Sequence, residues 1–197
     1  MLKELREIVQ QVTASSDLNE AMSELVRKTR NAMQVDCCSI YLSQEGQQSY
    51  LLAATDGLAA SAVGRASIPM GEGIVGLIGE KEELINLANA QHHPKFKYLP
   101  EAHEDAFKSF LGAPIMHQRK TLGVLVVQQK QIRLFEEGEE SFLVTLASQL
   151  ATVIAHAEAK GNLTSPNGRG MLRGLAGSPV SPLRAAGCGG RGLNCTR

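Results

Sequence analysis

The sequence predicts an α+β domain in which long helices cover one face of a sheet. Two helix-type patterns open the chain, a third begins near Glu136, and short strand-type segments lie between them. Strands bounded by helices in this order favour a sheet whose long helices share one side. The opposite face then needs a cover of short helices and loops. The space between sheet and cover would suit a small ligand.

The helices are indicated by apolar residues at intervals of three and four. Leu2, Leu5, Val9 and Val12 form a narrow seam in the first helix. Because so short a helix is unstable alone in water, the seam either packs on its own domain or meets a second copy in a dimer. Asp17 is placed to cap the second helix. The third helix has an acidic start and a long apolar stripe, which comprises Phe142, Leu143, Leu146, Leu150, Val153, Ile154 and Ala157.

Strand-type patterns recur between the helices. The predicted strands are 38–42, 50–55, 66–68, 84–87, 110–117 and 122–128. The last contains Leu-Gly-Val-Leu-Val-Val, which is apolar on both faces and therefore typical of a central strand. Cys37 and Cys38 are adjacent, so on a strand they point to opposite faces and do not form a local metal pair.

The least regular segment, 68–94, contains three closely spaced glycines: Gly71, Gly73 and Gly76. Since glycine adopts backbone angles that other residues avoid, we predict a tight turn before a short helix. The pattern Gly-x-Gly-x-x-Gly also occurs in dinucleotide-binding proteins, but no acidic residue follows at roughly 20 positions, and the next strand comes too soon for a parallel crossover. We interpret the segment as a glycine turn that leads into a pocket-covering helix.

Charge divides the chain into two parts. Residues 1–160 carry all 20 acidic and 15 of the 20 basic residues, and residues 161–197 carry five Arg and no acid. The acidic balance of the first part argues against nucleic acid as a partner. We predict one domain over 1–160 and a disordered Gly/Arg-rich tail over 161–197, a truncated or frameshifted start of a further domain. With no signal peptide and no apolar run near the roughly 18 residues of a membrane span, we expect a cytoplasmic protein without membrane contact.

Several segments in order resemble the GAF domain family: 36–42, 71–77, 85–98, 110–115 and 122–129. More narrowly, residues 1–158 resemble the amino-terminal GAF domains of nitrogen-related phosphoenolpyruvate–protein phosphotransferases. The resemblance implies a six-stranded antiparallel sheet, with long helices on one face and short helices and loops over a pocket on the other. It also implies dimerisation through the terminal helices.

The function implied by the resemblance is regulatory. A sensory domain would control a phosphoenolpyruvate-dependent protein phosphotransferase, with glutamine or 2-oxoglutarate as the expected regulator and no cofactor. The catalytic domains of that family are not recognisable here, and the sequence departs from the family after 173–179. We therefore expect no phosphotransferase activity from this chain alone. The alternative is a structural dimerisation module without a ligand; an enzyme in its own right is disfavoured, because no nucleophile–base or metal constellation is evident.

The candidate site follows from this arrangement. The candidate ligand-binding residues are Ser39, Tyr41, Met70, Glu72, Gly73, Ile74, Asn86, Asn89, Phe96, Phe110 and Pro114. The candidate dimer residues are Leu2, Leu5, Val9, Val12, Leu150 and Ile154. Neither catalytic residues nor metal ligands are predicted. Which face of the first strand meets the pocket is open, Glu72 would need a pairing cation to accept an anionic ligand, and the two asparagines could instead cap backbone groups.

Overall fold

The computed structural model describes residues 2–15, 17–97 and 106–159. In these residues, six strands form one antiparallel sheet of order β3-β2-β1-β6-β5-β4. The strands are β1 (Cys37–Gln44), β2 (Ser49–Asp56), β3 (Ser67–Pro69), β4 (Ile85–Leu87), β5 (Ser109–His117) and β6 (Lys120–Gln129). The helices are α1 (Leu2–Ala14), α2 (Leu18–Met33), α3 (Gly73–Lys81) and α4 (Glu137–Ala159). The predicted α+β class is confirmed, and the predicted tail, 161–197, lies outside the described residues.

The three long helices pack on one face of the sheet. Their buried side chains join those of β1, β5 and β6 in the larger hydrophobic cluster. By length and composition, α4 is the one helix in the described ranges that could span a membrane. Its apolar side, however, packs on β5 and β6, where Leu143, Leu146 and Leu150 are completely buried. This burial is that of a core helix.

Acidic side chains accept hydrogen bonds from backbone N–H groups at the starts of two long helices. Asp17 caps α2, because its carboxylate accepts a hydrogen bond of 2.8 Å from the backbone N–H of Asn19. At the start of α4, the carboxylate of Glu139 accepts a hydrogen bond of 2.8 Å from the backbone N–H of Glu136. These side chains satisfy donors that the helices leave unpaired.

The apolar seam of α1 packs on its own domain. Val12 is buried in the larger cluster, and Leu5 and Val9 are half-buried against it. Leu150 and Ile154 are also buried there. In the single chain the seam therefore packs on its own domain, where Val12, Leu150 and Ile154 are buried, and the role of the candidate dimer residues stays a prediction. The side chain of Leu2 lies outside the description.

The second face of the sheet, which we call the α3 face, is covered by α3 and by short turns at Ala60–Ala62 and Ala90–His92. A smaller hydrophobic cluster lies beneath this cover. Cys38 and Ile40 belong to the larger cluster, whereas Tyr41 belongs to the smaller one. Since strand residues alternate between faces, Ser39 shares the α3 face with Tyr41. This settles which face of the first strand meets the cover.

Candidate ligand-binding face

A glycine turn connects β3 to α3, as predicted. Gly71 and Gly73 have φ angles of 78° and 65°, in the left-handed region that favours glycine. The strands on either side, β3 and β4, pair antiparallel with their neighbours. The Gly-x-Gly-x-x-Gly pattern is thus not part of a parallel strand–helix–strand unit, which confirms its interpretation as a turn before a covering helix.

Two other glycines allow α3 to lie close to the sheet. A β-carbon at Gly79 would lie 1.9 Å from the hydroxyl oxygen of Tyr50. One at Gly112 would lie 2.4 Å from the Cδ1 atom of Ile78. Burial against α3 raises the pKa of Tyr50, and the nearby carboxylate of Glu82 adds to this effect. The helix is therefore seated directly on β2 and β5.

The glycine turn is bonded to the loop that follows β4. The ammonium of Lys97 forms an ion pair with the carboxylate of Glu72, and both side chains are about half exposed, at 46% and 53%. Lys95 Nζ donates to the carbonyl oxygen of Gly71 over 3.4 Å. The structure thus supplies the pairing cation that Glu72 requires, and it brings two separate segments of the candidate site together at the rim of the cover.

A buried polar cluster lies on the α3 face at one end of β1. The hydroxyl oxygens of Ser39 and Thr55 are 2.8 Å apart, and the thiol sulfur of Cys37 lies 3.4 Å from the hydroxyl oxygen of Ser39. Cys37 and Ser39 are completely buried. The neighbouring Cys38 points to the helices, where burial raises the pKa of its thiol. The cluster offers small neutral donors and acceptors and no buried charge.

Apolar and aromatic candidates share the α3 face with these polar groups. Tyr41, Ile74 and Phe110 are buried in the smaller cluster, and Met70 and Phe96 pack against it. Pro114 lies on β5 opposite Val124, a member of the same cluster. The structure thus brings these six candidates to one face. Gly73 is buried at the first turn of α3, beside Ile68.

The two candidate asparagines differ in position. Asn89 begins the turn at Ala90–His92 on the α3 side, and its buried Oδ1 atom has no hydrogen-bond partner among the described residues. Asn86 belongs to the opposite side. Its Nδ2 atom donates to the carbonyl oxygen of Phe135 (2.9 Å) and to Glu140 (2.7 Å), and its Oδ1 atom accepts from the N–H of Phe135 (3.2 Å). Asn86 therefore caps backbone groups and is not gathered with the other candidates.

The segment between β6 and α4 carries contacts that sequence reasoning missed. Arg133 donates to both carboxylate oxygens of Glu139 over 2.8 Å and stacks on the ring of Phe135 at 4.3 Å. This bond raises the pKa of Arg133 and lowers that of Glu139. The hydroxyl oxygen of Ser109 accepts from the N–H of Arg133 (2.8 Å). Two carboxylates at the acidic start of α4, those of Glu139 and Glu140, are therefore bonded to other parts of the protein, whereas Glu136 and Glu137 are exposed.

Other missed residues are Cys37, Thr55 and Lys97. Only Lys97 had a signal in the sequence, because Glu72 required a cation. In the described ranges, no group of three or more His, Cys, Asp or Glu side chains could hold a metal ion. The α3 face thus presents small neutral polar groups and one exposed charge pair.

A curled antiparallel sheet with three helices on one face and a short helix over the other is the GAF fold. Residues 17–154 match the family model described as GAF domain. The chain therefore belongs to the GAF domain family.

Sequence relatives indicate which GAF-containing proteins this chain resembles. The chain is 44% identical over 182 residues to a protein of Escherichia coli (strain K12) named "Phosphoenolpyruvate-dependent phosphotransferase system". That match covers 92% of this chain and 24% of the relative, so the chain spans about a quarter of the length of this curated protein.

Two solved structures illustrate the fold. The GAF domain of a phosphoenolpyruvate-protein phosphotransferase from Coxiella burnetii is 46% identical, with a TM-score of 0.79; 82% of this chain and 96% of that chain are covered. Free methionine-R-sulfoxide reductase of Neisseria meningitidis, solved in complex with its substrate, has a TM-score of 0.70 at 19% identity, over 79% of this chain and 89% of that one. The second likeness concerns the fold alone.

Proposed function

We propose that residues 1–160 form the regulatory GAF domain of a cytoplasmic phosphoenolpyruvate-dependent protein phosphotransferase that responds to nitrogen or carbon status. The regulator is a small metabolite, glutamine or 2-oxoglutarate, bound on the α3 face. The similarity to the Coxiella domain supports the link to the phosphotransferase. The Neisseria structure supports the principle that this fold can hold a small molecule. Residues 161–197 are proposed to be a separate tail.

The observation that carries the ligand proposal is the neutral polar cluster of Cys37, Ser39 and Thr55 on an otherwise apolar face. The three groups are bonded to one another, which offsets part of the cost of burying them, whereas a core with only a structural role is built most simply from apolar residues. Asn89, whose Oδ1 atom has no partner among the described residues, precedes Ala90, which belongs to the smaller hydrophobic cluster on this face. An amide or carbonyl group of a ligand could bond to such groups.

The exposed Glu72–Lys97 pair supports an amino acid over a dicarboxylate. A free amino acid carries one carboxylate and one ammonium, and the pair offers one partner for each. A dicarboxylate such as 2-oxoglutarate would bond to Lys97 but would be repelled by Glu72. We therefore expect glutamine to bind more tightly than 2-oxoglutarate.

Calorimetric titration of the full 197-residue chain tests this proposal. Glutamine, 2-oxoglutarate and cyclic nucleotides are added in turn to the wild type, Lys97→Met and Lys81→Met. Lys97→Met should weaken glutamine binding by about tenfold, because a charge-assisted bond is lost. Lys81→Met removes another exposed lysine, at the far end of α3, and serves as the matched control. If no ligand produces a measurable heat of binding, the alternative of a structural module without a ligand is favoured.

Phosphotransfer itself is proposed for the full-length protein. The chain alone should take up no label from radioactive phosphoenolpyruvate in the presence of a histidine carrier protein. Stoichiometric labelling of a histidine in this chain would overturn that expectation.

We also propose that the domain acts as a homodimer. Supporting this, α4 has no charged residue between Glu140 and Glu158, although Ser141, Val144, Thr145, Ser148 and Thr152 are exposed. A solvent-facing helix normally carries charges on that side. Sedimentation of the wild type across a concentration series measures the oligomeric state.

A further inference from the structure

The segment that joins β6 to α4 presents two large aliphatic side chains to solvent. Ile132 is 64% exposed and Leu134 is 61% exposed. Val144, on the following helix, is the third large hydrophobic side chain exposed in the described ranges. Single exposed aliphatic residues are common, but a closely spaced pair on one segment indicates a contact surface.

Side chains of β4 and β5 hold this segment in place through hydrogen bonds. The hydroxyl of Ser109 lies 2.6 Å from the carbonyl oxygen of Gln131 and accepts from the N–H of Arg133. Asn86 bonds to both backbone groups of Phe135. The guanidinium of Arg133 is bonded to Glu139 and, over 2.7 Å, to Gln129. Ile132 and Leu134 are therefore fixed in their outward positions.

This arrangement inverts the usual placement of side chains. The charged Arg133 and the aromatic Phe135 point into the protein, whereas the aliphatic residues between and beside them point outward. Within the described residues, the backbone N–H and C=O groups of Ile132 and Leu134 form no hydrogen bond. The outward edge therefore offers both apolar side chains and open backbone groups to a partner.

The charges along the segment indicate which partner fits. Lys130, Ile132, Leu134 and Glu136 are all exposed, so the outward row of alternate residues reads positive, apolar, apolar, negative; Gln131, between the first two, is exposed and neutral. If a second copy lies antiparallel about a two-fold axis, Lys130 meets Glu136 of that copy, and Ile132 meets Leu134. The row is thus complementary to itself, as an isologous interface requires.

We propose that residues 130–136 form the two-fold contact between two copies of this chain. This inference rests on the proposed homodimer and names its surface. Two aliphatic side chains per copy bury far less than the roughly 1,000 Å² that a stable interface needs. The uncharged face of α4, which begins beside the segment and includes Val144, supplies the rest. We expect a dimer with a Kd in the micromolar range.

Charge exchange within the row tests this contact. Lys130→Glu leaves two acidic ends, and Glu136→Lys leaves two basic ends. Each variant alone should dimerise about tenfold more weakly than the wild type, since both ends of the contact become repulsive. An equimolar mixture should recover wild-type dimerisation. In the mixed dimer, the carboxylate introduced at position 130 meets the ammonium introduced at position 136, and the native Glu136 meets the native Lys130. Sedimentation at about 10 to 500 µM covers the expected Kd.

The control is Glu80→Lys, which reverses an exposed carboxylate on α3, across the sheet from α4 and outside the proposed interface. It should dimerise like the wild type. Recovery in the mixture cannot arise from misfolded single variants, and circular dichroism of each variant confirms its fold.

Different sedimentation results would overturn the contact surface, the homodimer or both. A wild-type dimer unaffected by either variant would overturn this surface while leaving the homodimer in place. A wild type that is monomeric at every concentration would overturn both the contact surface and the homodimer. It would not affect the proposed glutamine binding, which calorimetry measures separately. Weakened single variants whose mixture stays monomeric would also overturn the proposed register.

Discussion

Adding one methyl group at Gly112 should displace α3 from the sheet. A β-carbon there would lie 2.4 Å from Cδ1 of Ile78 and 2.9 Å from Cε1 of Phe110. Ile78 is a completely buried residue of α3, so its terminal methyl group has little space into which it can move. We expect Gly112→Ala to lower the free energy of unfolding by about 1–3 kcal/mol, the usual cost of overpacking a core.

The same contact predicts a rescue. Ile78→Val deletes the Cδ1 atom and should alone cost about 0.5–1.5 kcal/mol, because it leaves a small cavity. In the double variant, the methyl group introduced at position 112 occupies the vacated space. The total cost should then be smaller than the sum of the single costs by about 1 kcal/mol or more, with the remaining cost arising from the ring of Phe110.

Urea unfolding followed by circular dichroism measures all four proteins. The dependence of the unfolding free energy on urea should be the same in each, which shows that the midpoints compare stability alone. Glutamine titrations of the same proteins report whether displacement of α3 also weakens the proposed ligand site. Strict additivity of the two single costs would refute the packing of Ile78 over Gly112.

Hydrogen bonds, an ion pair and the composition of the tail lead to three more predictions. Asn86→Ala should lower the unfolding free energy by about 2–4 kcal/mol, because three hydrogen bonds to Phe135 and Glu140 are lost. The control, Asn31→Ala at an exposed helix position, should change the unfolding free energy by less than about 0.5 kcal/mol in the same urea experiment. The bond to Arg133 lowers the pKa of Glu139, so this bond stabilises the fold above the ordinary carboxyl pKa. The stabilisation is lost as the pH falls through the lowered pKa. Glu139→Gln should therefore make the melting temperature fall less steeply towards acid pH in thermal melts. Trypsin should cut within 161–197 first and leave a stable fragment near 1–160, because the tail has too few large apolar residues to fold alone; protection of Arg184 and Arg191 on a gel would contradict this.

The amino-acid sequence by itself determined the elements and their order. Intervals of three and four mark the long helices, and the run in β6 is apolar on both faces because that strand is central in the sheet. Asp17 capped α2 as expected, and Gly71 and Gly73 form the turn before α3. These features depend on neighbouring residues, so a local pattern is sufficient to predict them.

Tertiary structure alone decided which side chains meet on the α3 face. In a regular hairpin, Ser39 would pair with Ala54, but a bulge between Ile40 and Tyr41 shifts the register, so that Ser39 pairs with Thr55 instead. The sequence contains no local signal for that extra residue. The partner of Glu72 is likewise a lysine 25 residues away, and Asn86 bonds to residues 49 and 54 positions further along the chain. Such contacts depend on how distant segments pack, and packing optimises many contacts at once, so no single stretch of sequence specifies them.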